Sequence, residues 1–77
     1  MAQFQNQVRT HLRVSVYNVR LYDVIKDEFL ISRRMATQAG AATMGGVIMP
    51  ETEVLIDPDQ LENGEQWTER DFKPSAI

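Results

Sequence analysis

The sequence predicts a small α+β domain with a three-stranded, mostly antiparallel sheet in the order β-β-α-β. Two observations predict this class. Residues rich in Val, Leu, Ile and Tyr form three strand-like runs, and an alanine-rich stretch that ends in two glycines separates the second run from the third. The 77 residues are expected to form a single domain, 1–77, with residues 1–10 flexible and residues 73–77 frayed.

The first strand is predicted over residues 12–22. Leu12, Val14 and Val16 alternate with polar residues, as in a strand buried on one face. At Asn18 the alternation shifts by one position, and such a shift is produced by a β-bulge or by burial of both faces. We therefore expect a local irregularity near Asn18.

The second strand is predicted over Phe29–Ile31, after a short polar connection. Lys26 and Asp27 are typical of a turn, and the two strands lie close together in the sequence. The pattern therefore predicts an antiparallel hairpin.

A helix of about two turns is predicted after the second strand. Thr37 lies where an N-cap would, and Gly45 lies where a left-handed C-cap requires glycine. Gly40 weakens the helix by about 1 kcal/mol relative to alanine. We therefore expect the helix to depend on close packing against one face of the sheet.

The third strand is predicted over Val47–Ile56, interrupted by Pro50. With the helix as the crossover, the expected strand order is 2-1-3. Short C-terminal helical turns are predicted after Asp57-Pro58 and at a turn capped by Thr68, with a chain reversal at Asn63-Gly64.

Charge is divided unevenly along the chain. Residues 1–40 contain six Lys or Arg and three Asp or Glu, whereas residues 41–77 contain two and eight, so the halves carry +3 and −6. The division is typical of a basic binding face beside an acidic segment, or of two halves that attract each other in the fold or in a dimer.

No recognisable catalytic, metal or cofactor motif occurs in the sequence. The glycines at 40 and 45–46 lack the lysine of a phosphate-binding loop, and His11 is the single histidine of a chain without cysteine. We therefore expect no enzymatic activity, no cofactor and a cytoplasmic location. No segment of the sequence is typical of a secretory signal or a membrane span.

Four arginines are candidates for contact with an anion or a nucleic acid: Arg13, Arg20, Arg33 and Arg34. On an open sheet face they would contact phosphates, with Tyr17 and Tyr22 stacking on bases. The opposing interpretation is that they pair with acidic residues of the second half, and the sequence pI of about 4.9 favours this one.

Four residues of the second half are candidates for binding a protein: Trp67, Phe72, Glu51 and Glu53. The two aromatic residues would either dock into a partner or complete the core, and an acidic row with Asp57 and Asp59 would mimic a nucleic acid. The sequence thus predicts a non-enzymatic binding or regulatory module that contacts a protein partner or a second copy of itself, with no membrane partner. A nucleic-acid-binding domain is the first alternative, and an acidic nucleic-acid mimic is the second.

Overall fold

A computed structural model describes residues 13–73. It confirms the α+β class: a three-stranded antiparallel sheet, a two-stranded antiparallel sheet, one helix and short 3-10 turns. The strands are β1 (Val14–Val16), β2 (Val19–Asp23), β3 (Glu28–Ile31), β4 (Val47–Ile48) and β5 (Val54–Ile56), and the helix is α1 (Gln38–Met44). The predictions for residues 1–10 and 74–77 lie outside the described residues, as does His11.

The predicted strand order is confirmed. The three-stranded sheet has the order β3-β2-β4. In this order β3 and β4, which belong to the predicted second and third strands, flank β2, which is the second part of the predicted first strand. The smaller sheet pairs β1 with β5 and continues the same two chain segments. Within residues 13–73, no helix has the length and apolar character needed to cross a membrane.

The predicted first strand is interrupted at Tyr17 and Asn18, because the segment that pairs with it contains additional residues. Pro50 begins a 3-10 turn over Pro50–Thr52, so five residues between β4 and β5 lie opposite two residues between β1 and β2. Thr52 Oγ1 accepts a hydrogen bond from the Asn18 backbone N–H at 2.8 Å. The irregularity expected at Asn18 is present, but the additional residues lie between β4 and β5 and not in the first predicted strand.

The hairpin turn between β2 and β3 is stabilised by the side chain of Asp23 and by the backbone conformation of Asp27. Asp23 Oδ1 accepts hydrogen bonds from the backbone N–H groups of Ile25 and Lys26, at 3.0 and 3.2 Å. Asp27 adopts a positive φ of 57°, a conformation that aspartate tolerates better than most residues. The turn leaves Val24 and Ile25 exposed at its tip.

The ends of helix α1 are those that the sequence predicts. Thr37 Oγ1 accepts a hydrogen bond from the Gly40 N–H at 3.0 Å, and Gly45 closes the helix with φ 78°. Gly40 and Ala41 are the buried residues of the helix. A Cβ atom at Gly40 would lie 2.3 Å from the backbone oxygen of Gln66, so the helix approaches the 66–67 segment closely.

Among residues 13–73, the core consists of two small clusters. Val16, Met35 and Ile56 form one, between β1, β5 and the segment after β3, and Phe72 packs against it. The second cluster lies between α1 and the three-stranded sheet, and Trp67 packs against it; its buried members are Val19, Ala36 and Ala41. With so few fully buried side chains, the loss of any one of them is expected to destabilise the fold.

The C-terminal segment pairs with the chain that follows β3. Trp67 forms a bridge with Ala36, and Thr68 is fully buried, where its Oγ1 accepts a hydrogen bond from the Met35 N–H at 3.0 Å. The predicted role of Thr68 as a local cap is therefore wrong, because its hydroxyl satisfies a distant backbone donor. The predicted turns at Pro58–Gln60 and Asn63-Gly64 are present.

Candidate interaction surface

One face of the three-stranded sheet is apolar and exposed. Because side chains alternate along a strand and pair across an antiparallel ladder, the pairs Arg20–Ile31, Arg20–Val47 and Tyr22–Phe29 lie on the same face. Tyr22 is 48%, Phe29 61%, Ile31 49% and Val47 58% exposed. We call the surface formed by Arg20, Tyr22, Phe29, Ile31 and Val47 the outer face.

The aromatic residues of the outer face contact each other and the arginine. The Tyr22 and Phe29 rings meet edge to face, with centroids 5.2 Å apart. The guanidinium of Arg20 lies 4.8 Å from the centroid of Phe29, within the range of a cation–π contact. These contacts orient the three side chains and leave the rings accessible.

The opposite face of the same sheet is used by the core. Val19 is fully buried, and Leu21 and Ile48 are half-buried against the cluster that α1 covers. In the part of the chain that the structure describes, α1 is the single helix and covers this inner face alone. The outer face therefore has no covering element among residues 13–73.

The four candidate arginines do not share a surface. Arg20 lies on the outer face, whereas Arg13 flanks β1, with Nε 3.8 Å from Asp57 Oδ1. Arg34 Nη1 lies 2.9 Å from Glu62 Oε1 and 3.0 Å from the backbone oxygen of Thr68. Arg33 binds Asp71, so three of the four pair with acidic residues of the second half.

The Arg33–Asp71 pair is the most closely associated of these ion pairs. Arg33 Nε donates to Asp71 Oδ1 at 2.9 Å, and Nη2 donates to Oδ2. The hydrogen bond from Arg33 lowers the pKa of Asp71 below its ordinary value, and the same bond raises the pKa of Arg33. Both side chains are more than half exposed, so solvent screening keeps their contribution to stability small.

Trp67 and Phe72, the aromatic candidates for protein binding, are half-buried and pack against the two core clusters. Their aromatic faces are thus engaged within the fold, in agreement with the alternative of core completion. Their contact with a partner stays a prediction.

Glu51 and Glu53 are exposed near the 3-10 turn between β4 and β5. Glu53 accepts a hydrogen bond from the Ser15 hydroxyl, and Asp57 pairs with Arg13. Two members of the predicted acidic row therefore have partners within the chain.

A shallow acidic depression of about 640 Å³ lies near the C-terminal turns, with Leu61 and Phe72 among its lining residues. Its acidic side chains are Asp59, Glu62, Glu65 and Glu69. Among residues 13–73, no group of three or more His, Asp or Glu side chains is arranged to hold a metal ion.

The sequence interpretation identified two members of the outer face, Arg20 and Tyr22, and missed Phe29, Ile31 and Val47. A signal for them is present in the run Phe29-Leu30-Ile31, because three consecutive apolar residues place apolar side chains on both faces of a strand. The one helix that the sequence predicts can cover one face of the sheet. Such a run on a hairpin strand therefore indicates an exposed apolar surface.

Comparison with models of known protein families finds no match, and neither the curated proteins nor the solved structures include one that is significantly similar to this chain. We therefore infer function from the surface itself.

Proposed function

We propose that this protein is a small, non-enzymatic binding module that acts through protein–protein interaction and uses the outer face as its docking surface. The observation that carries the proposal is the exposure of apolar side chains from all three strands on one face of the sheet. Contiguous apolar surface of this kind is typical of binding sites for other proteins.

The aromatic residues of the outer face supply a useful part of the binding free energy. A Tyr or Phe side chain offers roughly 150–250 Å² of surface, and Tyr22 and Phe29 are 48% and 61% exposed. At about 25 cal/mol per Å², covering both exposed portions contributes about 5 kcal/mol. That gain is comparable to the lower estimates of the cost of association, about 4 kcal/mol, so further contacts decide the affinity.

The position of Arg20 indicates the chemistry of the partner. Its guanidinium lies over Phe29 and forms no ion pair with another residue of the 13–73 range. A partner that places a carboxylate beside Arg20, within an otherwise apolar contact, would form a charge-assisted hydrogen bond there. We therefore expect a protein partner with an apolar surface that surrounds an acidic residue. We also expect the protein to act in the cytoplasm, the location that the sequence predicts.

Affinity capture with a matched control tests the proposal. The tagged protein is compared with Phe29→Ser and with Leu55→Ser, because Leu55 is 57% exposed but lies on the smaller sheet. We expect a specific bound protein that Phe29→Ser loses and Leu55→Ser retains, with circular dichroism confirming that both variants fold. Identical capture by all three proteins would refute the outer face as the docking surface.

Binding to single-stranded nucleic acid is the second candidate function. It is favoured by Arg20, Tyr22 and Phe29 on one open sheet face, because bases stack on aromatic rings and on guanidinium groups. Against it, the outer face carries a single cation, and the other candidate arginines pair with acidic side chains. Fluorescence anisotropy with labelled single strands separates the two functions: binding at about 50 mM salt that weakens steeply by about 200 mM would support the nucleic acid.

A further inference from the structure

The outer edge of β3 is a second unpartnered feature, and its hydrogen-bonding pattern can be read from the residues that follow it. Ser32 N–H donates to Val19 O at 2.8 Å, and Ala36 exchanges backbone hydrogen bonds with Tyr17. The backbone N–H and C=O groups of the even-numbered residues in this segment therefore point toward β1 and β2. By the alternation of an antiparallel ladder, Leu30 also directs its backbone groups toward β2.

The backbone groups of the odd-numbered residues point the other way, toward the outer edge of the sheet. Beyond β3 that edge is occupied: Arg33 O accepts from Asp71 N–H at 2.7 Å, and Met35 O accepts from Thr68 N–H at 2.8 Å. Within β3, the same parity directs the backbone N–H and C=O groups of Phe29 and Ile31 outward, where no described strand pairs with them. The edge is therefore open over a short window, bounded by the hairpin turn and by the C-terminal segment.

We propose that this window, residues 28–32, pairs antiparallel with the same window of a second copy of the chain. The window is centred on Leu30, so the register that uses all of it places Leu30 opposite Leu30 of the second copy. In that register Phe29 and Ile31 of one copy lie opposite Ile31 and Phe29 of the other, and their outward backbone groups exchange both hydrogen bonds in each pair. The edge strands thus satisfy the groups that each leaves unpaired.

The charges at the start of the window favour this orientation. Acidic residues, Asp27 and Glu28, stand at its start, whereas Arg33 and Arg34 follow its end. Parallel pairing would bring the carboxylates of Asp27 and Glu28 from the two copies together, and antiparallel pairing avoids this repulsion. Arg33 and Arg34 already pair with Asp71 and Glu62 within the chain, so the orientation depends on the acidic ends and not on new ion pairs. The acidic residues at the start of the window therefore favour antiparallel over parallel pairing.

The pairing has a consequence for the outer face. Two three-stranded sheets joined at β3 form one continuous sheet, in which Phe29 of one copy lies beside Ile31 of the other on the same face. The apolar surface is thereby doubled. This inference rests on the proposed function in one respect, because the joined sheets present a single enlarged surface to the partner protein.

A charge exchange at Leu30 tests both the edge and the register. Leu30 is 43% exposed, so a charged side chain is tolerated in the single chain, but the register places two copies of it directly opposite each other. Sedimentation equilibrium of the purified full chain is expected to show a dimer. Leu30→Lys alone and Leu30→Glu alone are each expected to weaken the dimer by about tenfold or more, because like charges oppose each other across the strands. An equimolar mixture of the two variants is expected to restore it, and Leu55→Lys is expected to leave it unchanged.

Every other outcome overturns the inference in a recognisable way. A wild-type chain that sediments as a single copy at millimolar concentration excludes self-pairing, and Phe29-dependent capture of a partner would then leave the proposed function standing. A dimer that persists in both Leu30 variants forms through another surface. A mixture that fails to associate, when the wild type dimerises, rules out the Leu30 register.

Discussion

Replacement of Gly40 by alanine tests how closely helix α1 packs on the C-terminal segment. In the interior of an unconstrained helix this change stabilises by about 1 kcal/mol, because alanine is the better helix former. In this protein the added Cβ would lie 2.3 Å from Gln66 O and 3.1 Å from the Ala36 Cβ. The nearest atom belongs to the backbone, so no side-chain rotation relieves the clash.

The expected net effect of Gly40→Ala is a loss of stability. Overpacking of this kind costs typically about 1–3 kcal/mol, and the movement that relieves it weakens the hydrogen bond from Thr37 N–H to Gln66 O, now 3.0 Å. Because the clash is with a backbone atom at 2.3 Å, the upper part of this range, about 2–3 kcal/mol, applies; after the gain of about 1 kcal/mol in helix propensity is subtracted, we expect a net loss of about 1–2 kcal/mol. In a domain of this size each kcal/mol lowers the midpoint of thermal unfolding by about 4–8 °C.

Urea and thermal unfolding, followed by circular dichroism, measure this loss. Ala42→Gly is the control, because Ala42 is exposed on the same helix and the change should cost about 1 kcal/mol through propensity alone. A Gly40→Ala variant as stable as the wild type, or more stable, would refute the close approach of α1 to residues 66–67.

Three further predictions concern the core, a buried hydrogen bond and pH. Val16→Ala removes apolar volume from a fully buried position and is expected to cost about 2 kcal/mol in urea unfolding, whereas a loss below about 0.5 kcal/mol would place this side chain at the surface. Thr68→Val leaves the Met35 N–H without its acceptor and is expected to cost about 1–3 kcal/mol, and Thr68→Ser should recover most of it; equal losses would show that the hydroxyl is not the acceptor. Because the folded-state pKa of Asp71 is lowered, its pairing stabilises above the ordinary aspartate pKa, and this contribution is lost as the pH falls through the lowered value. A carbon-detected NMR titration should therefore show the pKa of Asp71 rising toward its ordinary value in Arg33→Ala, and no change would contradict the ion pair.

Much of the fold could be predicted because local signals and tertiary packing agree. The Thr37 cap, the Gly45 terminator and the hairpin turn each depend on the conformational preference of one or two residues, and these preferences are visible in the sequence. The strand order followed from the short hairpin and the single crossover. The role of Thr68 could not be predicted in this way, because its partner Met35 is distant in sequence.

The outer face was harder to predict because exposure depends on what the rest of the chain covers. Phe29 and Ile31 are typical strand residues, and the sequence pattern alone does not distinguish a buried apolar face from an open one. The pairing of Arg33 with Asp71 and of Arg34 with Glu62 was open for a similar reason. Adjacent arginines are compatible with phosphate binding and with ion pairing, and the acidic composition that favours ion pairing does not identify which carboxylates are the partners.

Residue-resolved amide hydrogen exchange in β3 tests the openness of this sheet most directly. In a dilute sample, the N–H groups of Phe29 and Ile31 are expected to exchange quickly because they face the free edge, while the N–H of Leu30, which faces β2, is protected. Equal protection of all three amides at the lowest concentration would contradict the account, because another part of the same chain would then cover the edge.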